Sequence, residues 1–336
     1  MFYCDPFPKD QEVKNMPLLS VIIPCYNVQE YILKCLDSVY SQGLAPDAYE
    51  VLLIDDGSTD HAVEIATGYL QDKSNGKIIR QQNKGLGGAR NTGIVNANGT
   101  YLLFLDADDW LLPNALKEIL TIAENDRLDL LEFAAQGVNS AGKILYHYRN
   151  SSEVFSSGID YYKKVRYMNS ACNKLYRRLF LVEHQILFLE KIFIEDFEFN
   201  TRCLAKAKKL KATDTLVSQF LQSENSITRN SDPSNRQKMI ADIMQVLKIT
   251  DHHYKSKSAN NESGFYLERL NFLVASLFIQ LIKNKASYHE ILHLKSELVE
   301  KGLYYIDYKI FDFKKDILRM VLLKNLRLFK LIQLFY

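Results

Sequence analysis

Three carboxylates, Asp106, Asp108 and Asp109, stand within four residues, directly after the apolar run Tyr101-Leu102-Leu103-Phe104-Leu105. Like charges this close repel one another and cost free energy out of water unless a cation or hydrogen-bond donors balance them. An oxygen-only cluster suits Mg²⁺ or Mn²⁺, which commonly take one or two protein carboxylates together with substrate phosphates. The same residues also read as a solvated acidic turn ahead of a helix with Pro113 in its first turn. A second acidic pair, Asp55-Asp56, ends another apolar run, Val51-Leu52-Leu53-Ile54. A third polar group, Cys25-Tyr26-Asn27, follows the run from Leu18 to Ile23, closed by Pro24, which cannot continue a central ladder. Further along, Glu195, Asp196 and Glu198 gather more negative charge, either as reactive carboxylates or as charges favoured at a helix N-terminus.

The elements that must position these groups alternate between strand and helix. Ile32, Cys35, Leu36, Val39 and Tyr40 recur at helical spacing after the first strand. Ser58 and Asp60 are good N-terminal residues for a helix that turns Val63, Ala66 and Leu70 inward. Lys77 to Arg80 reads as a third strand, and Gly85-Leu86-Gly87-Gly88-Ala89-Arg90 opens the next helix. This alternation predicts an α/β domain with a mostly parallel, doubly wound sheet, whose ligands bind outside the carboxyl ends of the strands. Three such ends carry the polar groups above. From about Asp129 the pattern changes: Leu130 to Ala135 and Lys143 to Tyr148 flank a hairpin turn, Asn139-Ser140-Ala141-Gly142. Ser223 to Arg236 has the composition of a linker or a lid, and the chain beyond it is helical.

Composition removes several function classes. A formal net charge of +2 argues against a dedicated nucleic-acid binder. Five scattered cysteines, without a Cys-x-x-Cys pair, fit reduced thiols in a cytosol and offer no zinc site. No basic-then-apolar leader is visible, and no apolar stretch reaches the ~18 residues that span a bilayer, so a cytoplasmic protein is expected. The glycine cluster does not make a dinucleotide fingerprint, because its spacing is wrong and it follows the third strand instead of the first.

Taken together, Ser20-Val21-Ile22-Ile23-Pro24-Cys25-Tyr26-Asn27, Leu53-Ile54-Asp55-Asp56-Gly57-Ser58-Thr59-Asp60, Asn83 to Asn91 and Phe104-Leu105-Asp106-Ala107-Asp108-Asp109 resemble the inverting glycosyltransferases of family 2, in words, order and spacing. The resemblance implies a GT-A fold over residues 18–230, with a nucleotide-binding half (18–127) and an acceptor half (128–230). Residues 1–17 would be an extension, and 231–336 a helical region outside the family pattern. It further implies a nucleotide diphosphate sugar donor, UDP-type by the carboxylate expected at the base, a saccharide or lipid-linked saccharide acceptor, and a divalent metal, Mn²⁺ or Mg²⁺. On that basis Pro24, Tyr26 and Asn27 would shape the base slot and Asp56 would contact the base. Asp106 would take the ribose hydroxyls beside Ala107, and Asp108 would take the metal with Asp109 in support. Lys84 and Arg90 would lie near the nucleotide or diphosphate. Asp196 would be the general base, with Glu195 and Glu198 as competing carboxylates. Lys174 would line the acceptor pocket, and Arg229 would close over the diphosphate.

Two other readings share the fold. A sugar nucleotidyltransferase would need a triphosphate loop after the first strand, which Pro24-Cys25-Tyr26-Asn27-Val28 lacks. A non-catalytic scaffold would have no need of so many carboxylates. The chain also lacks a Gln-x-x-Arg-Trp motif, its only tryptophan being Trp110, which points to single sugar addition and not polymerisation. At the C-terminus, Lys324, Arg327, Lys330 and Gln333 fall every third position opposite Leu322, Leu326, Phe329, Ile332 and Phe335. This spacing predicts an amphipathic helix that lies on the inner face of a membrane or packs on protein.

Overall fold

The computed structural model describes residues 16–165, 167–223, 232–256 and 262–332. The chain divides into two compact units that meet in sequence at residues 224 and 225, a few residues before the expected boundary at 230.

The first unit is built on one nine-stranded sheet. Its strands are β1 (Leu19–Cys25), β2 (Tyr49–Asp55), β3 (Gly76–Arg80), β4 (Tyr101–Phe104), β5 (Trp110–Leu111), β6 (Leu130–Val138), β7 (Ile144–Tyr148), β8 (Lys174–Arg177) and β9 (Leu210–Leu221). They lie in the order β3-β2-β1-β4-β8-β6-β9-β5, with β7 paired to β6 as the expected hairpin. Parallel pairing holds from β3 to β4. Beyond β4 the sheet is mixed, because β8 runs antiparallel to both β4 and β6 while β6 and β9 are parallel. β1, β2, β4 and β6 are buried along nearly their whole length, as apolar runs covered on both faces should be.

Helices α1 (Ile32–Tyr40), α2 (Ala62–Leu70), α3 (Gly85–Asn96), α4 (Leu116–Asp126), α5 (Gly158–Lys164), α6 (Arg178–Glu183) and α7 (Glu195–Lys206) accompany the strands. α1 turns Ile32, Cys35, Leu36 and Val39 into the core, as their spacing requires. Two local expectations fail for clear reasons. Pro24 lies inside β1, in register with Ile54 of β2. Ile22 directs its backbone to β4, where its carbonyl accepts from Leu105 N, so Pro24, two residues on, faces the side where β4 has already ended. Its missing N–H therefore removes no ladder bond. Pro113 does not open α4. Asn114 takes φ +58°, and the helix starts at Leu116, where the Gln42 side-chain oxygen accepts from the amides of Ala115 and Leu116.

Two glycines set how close α3, the carrier of Arg90, can approach. A Cβ on Gly93 would stand 2.2 Å from Ile22 Cγ2 of β1, and one on Gly87 would stand 2.3 Å from the Leu189 carbonyl oxygen.

The second unit is helical: α8 (Pro233–Ser256), α9 (Ser263–Lys283), α10 (Tyr288–Glu300) and α11 (Phe313–Leu318). By length and composition α9 could cross a bilayer, its most apolar 18 residues having a mean hydropathy of 1.4, contrary to the expectation above; 61% of that stretch is buried in the protein, as in a core helix. Its buried polar groups are satisfied, Glu268 Oε1 accepting from Phe311 N and Asn271 Oδ1 from Tyr308 N. The C-terminal stretch corrects the expected continuous helix. A π turn at Arg319–Leu323 and a non-helical Asn325 interrupt it, and a 3-10 turn follows at Leu326–Leu328. Leu326 and Phe329, two of the apolar residues expected to face a membrane or to pack on protein, are buried in the protein, and Gln333 and Phe335 lie outside the described residues.

The tight seat of α3 on β1 gives a direct test. Gly93→Ala should destabilise the protein by about 1–3 kcal/mol, because Ile22 is fully buried and has no room to yield. A denaturant midpoint equal to wild type would contradict that packing.

Candidate active site

The sheet order reverses around β1 and β4, and loops from the carboxyl ends of the parallel strands converge there, at the topological switch point. β8 brings its first residues to the same edge, because its antiparallel register sets Leu175 against Leu103 and leaves Asn173 and Lys174 beside the end of β4.

The loops after β1 and β2 are stitched together. Asn27, in the left-handed region at φ +53°, accepts from Thr59 N through its side-chain oxygen at 2.8 Å and donates its own amide to Ser58 Oγ at 3.3 Å. Asp55 Oδ1 takes the Ser58 amide at 2.8 Å. Asn27, expected to touch the nucleotide, is thus a brace between two loops, and Tyr26 beside it is half-exposed. Asp56 is buried at the junction with the third loop, where its Oδ1 accepts from Gln81 Nε2 and Lys84 N, each at 2.7 Å. The Lys84 side chain is exposed.

The centre of the site is Arg90. Its guanidinium is 1% exposed and donates to Asp106 Oδ1 at 2.8 Å, Glu195 Oε1 at 3.0 Å and Asp196 Oδ1 at 2.7 Å. Arg90, expected near the nucleotide or diphosphate, is engaged by carboxylates from two separate elements. Burial opposes its charge, but Asp106, Asp196 and Glu195 outweigh burial and push its pKa up. The second oxygen of Asp196 accepts from Ala171 N at 2.9 Å, and the side chain stays a quarter exposed. Burial raises the Asp196 pKa, while Arg90 and the Ala171 amide pull it back. Glu195 is deeper. Burial first, and then the Asp196 charge, push it up to about 8 against the pull of Arg90. Burial thus favours the protonated form of Glu195 more than that of Asp196, whose side chain is the more exposed of the two and is the candidate base.

Around Asp106 the acidic cluster differentiates. The Ala107 side chain, proposed as a contact residue, packs in the apolar core instead. Asp109 is also buried, its Oδ1 accepting from Leu221 N of β9 at 2.7 Å. Burial, followed by Asp108 and Asp106, holds its carboxyl well above the usual range, so it ties β9 to the turn in place of its expected role at a metal. Asp108 is half-buried at the tip. Among the described residues no group of three or more ligands is disposed to hold a metal. The donor set fits an ion held by one carboxylate together with ligand phosphates.

Two further expectations change. Lys174, proposed for the acceptor pocket, is fully buried. Its Nζ donates to Met168 O (2.6 Å), Ser170 O (2.7 Å) and Asn173 Oδ1 (2.7 Å), and stands 3.3 Å from the buried Glu132 carboxylate. Burial lowers its pKa, with Glu132 opposing. It shapes the strand approach that presents the Ala171 amide. Glu198 pairs with Arg202 through a 2.6 Å bond, which removes it as a competing base. Arg229 lies outside the described residues.

Sequence reasoning missed Glu132, Ala171 and the clamp at Asn91, whose side chain donates to Phe188 O at 2.9 Å and accepts from Phe188 N at 2.7 Å. Phe188 stacks on Phe199 of α7 with ring centres 3.7 Å apart. A cleft of about 450 Å³ lies elsewhere, against Tyr101 at the start of β4, and is held together by Asp129 accepting from Arg177, Lys208 and Lys209. It is not the reactive crevice.

Fold and crevice together define an α/β domain of the GT-A type. In solved structures, Staphylococcus aureus TarS residues 1–349 in complex with UDP-GlcNAc aligns with a TM-score of 0.62 at 22% identity, over 86% of this chain and 78% of that one. Residues 20–185 match the family model "Glycosyl transferase family 2", which identifies the first unit as a domain of that family. The glycosyltransferase EpsJ of Bacillus subtilis is 31% identical over 225 residues, covering 63% of each chain. The poly(ribitol-phosphate) beta-glucosyltransferase of Bacillus spizizenii is 27% identical over 69% of this chain and 37% of its own length.

Two outcomes follow from the carboxylate cluster. Arg90→Met leaves three carboxylates facing one another without their cation and should cost about 3–5 kcal/mol of stability, as loss of one partner from a buried ion cluster does; thermal unfolding measures it. Glu195→Gln keeps an acceptor for Arg90 and removes the titration. Because the folded-state pKa of Glu195 is raised from 4.5 to about 8, wild type should lose stability relative to Glu195→Gln as pH rises through that window. Parallel stability curves for the two proteins would refute the assignment.

Proposed function

We propose that this protein is an inverting glycosyltransferase that moves a single sugar from a nucleotide diphosphate sugar, of the uridine class, to a saccharide or lipid-linked saccharide acceptor in surface-polysaccharide assembly. The reading rests on one observation above all: Arg90 holds Asp106, at the end of the donor-side strand, and Asp196, at the start of α7, on one guanidinium. A nucleotide-binding carboxylate and a base are thereby kept in one crevice. The uridine class is supported by the UDP-GlcNAc complex of the TarS structure, and a hydroxyl of a surface polymer as acceptor by the poly(ribitol-phosphate) in the name of the Bacillus spizizenii relative. Such a reaction would take place in the cytoplasm, at the inner face of the membrane.

In this mechanism Tyr26 offers a face for the base, Asp56 its free lone pairs for a ring N–H, and Asp106 its second oxygen for the ribose hydroxyls. Asp108 would hold Mn²⁺ or Mg²⁺ against the diphosphate, where the ion neutralises the charge left by the departing group. Asp196 takes the proton of the acceptor hydroxyl as that oxygen bonds to the anomeric carbon on the face opposite the leaving diphosphate, which departs with the electron pair of the broken C–O bond. Arg90 and the Ala171 amide orient the carboxylate and leave its exposed edge toward the acceptor. General-base help of this kind is typically worth ~10²–10⁴ in rate.

The test separates binding from chemistry. Asp196→Asn should lower turnover by about 10²–10⁴-fold while UDP-sugar binding, followed by calorimetry, stays within a few-fold of wild type. Asp108→Ala should remove the manganese dependence of donor binding. Wild-type turnover in Asp196→Asn would exclude it as the base, and indifference of the wild-type chain to every sugar nucleotide with manganese would overturn the function.

A further inference from the structure

Burial of Leu326 and Phe329 leaves a different apolar surface exposed on the helical unit. Phe313 (75% exposed) and Ile317 (41%), four residues apart, share one side of α11, and Met320 (50%) and Val321 (47%) of the π turn that follows are exposed as well. Phe311, half-exposed, extends the row at its N-terminal end. The opposite side of the same segment is anchored inward: Leu318 and Leu323 are buried, and Arg319 bonds to Asp316 at 2.8 Å and to the Ile306 carbonyl at 2.9 Å. The outward row is thus held in place by a well-fixed inner side. Isolated exposed hydrophobic residues are ordinary, but a contiguous row of large ones on a fixed element is not.

Charge identifies the occupant. Lys309, Lys314, Lys324 and Arg327 are all exposed along this segment, against exposed Asp307 and Asp312. Asp312 already caps α11, accepting from Lys315 N at 3.0 Å, and the third acid, Asp316, is buried with Arg319. A second copy of the chain seated on the row through a two-fold contact would bring these lysines toward one another, which is unfavourable. An anionic bilayer accepts both features at once: the apolar side chains enter the headgroup boundary and the cations face lipid phosphates.

We propose that the row Phe313, Ile317, Met320 and Val321, with the cations that flank it, docks the protein reversibly on an anionic membrane surface. The proposal stands apart from the sugar-transfer reading, since lipid binding and sugar-nucleotide turnover are measured separately.

Vesicle co-sedimentation of the full chain tests it, with phosphatidylcholine vesicles with and without phosphatidylglycerol as probes. Wild type should pellet with the anionic vesicles, release as salt is raised, and remain in the supernatant with neutral ones. Phe313→Ser and Ile317→Glu should each weaken binding about tenfold or more, while Leu145→Glu, a change at an equally exposed residue on β7, should bind as wild type. Circular dichroism and turnover in solution check that the variants remain folded. Wild type that ignores anionic vesicles, or Ile317→Glu that binds them undiminished, would overturn the proposal. So would concentration-dependent dimers that dissociate on Phe313→Ser in a protein that never pellets with lipid.

Discussion

The site depends on one cation keeping three carboxyl groups together. Asp106 closes a strand and Glu195 and Asp196 open a helix about ninety positions later, so nothing local in the chain brings them close. Carboxylates at such spacing, mostly removed from water, repel strongly. Arg90 resolves this with a planar fork that reaches several oxygens at once, which a lysine ammonium on its flexible stem could not match. The cost of burying the guanidinium is offset by three short, charge-assisted contacts to carboxyl oxygens. Its place is fixed by apparently unrelated features: Gly93 lets α3 settle on Ile22, Gly87 admits the Leu189 carbonyl, and Asn91 grips the backbone of Phe188.

A second buried ion pair performs the same service one strand away. Residues 168–173 approach β8 without regular structure, so their carbonyls lack ladder partners and must find others. Lys174 supplies three donors, two of them to the Met168 and Ser170 carbonyls, and Glu132 accepts from the Met168 amide and from the Tyr148 hydroxyl. Lys174 also lies over the Tyr167 ring at 4.4 Å. A loop fixed in this way can present a single backbone amide, that of Ala171, to Asp196 at hydrogen-bond distance. An irregular segment becomes as well positioned as a strand because its polar groups are satisfied from below.

What could be read from the sequence follows from the range of the interactions involved. Buried parallel strands, their polar ends and the hairpin leave local marks, and all of these were legible. The partners of the charged residues were not. Arg90 reads as a phosphate-binding cation until Glu195 and Asp196 are folded against it, and Asp109 reads as one more ligand until Leu221 arrives more than a hundred residues later. Lys174 did carry a usable signal, since a lone lysine opening the run Leu175-Tyr176 sits at the buried end of a strand. Asn91 carried none. The C-terminal pattern misled because it assumed one unbroken helix, whereas the π turn and Asn325 rotate the residues beyond them away from the predicted face.

Sharing a cation has a chemical consequence. The proton affinity of Asp196 is set by opposing effects, burial raising it and Arg90 with the Ala171 amide lowering it, and the charge on Asp106 adds to the rise. Any change in how firmly Asp106 holds Arg90 therefore alters how much of the guanidinium is left for Asp196. Donor-side and acceptor-side carboxylates are linked through one residue, and by thermodynamic reciprocity the linkage acts in both directions. Glu195 buffers this arrangement. As the most buried of the three carboxyls it is the one whose charge burial opposes most, and its pKa is pushed up to about 8. A neutral Glu195 adds no repulsion to its neighbour, and that favours the charged form of a quarter-exposed aspartate that must act as a base within reach of two other acids.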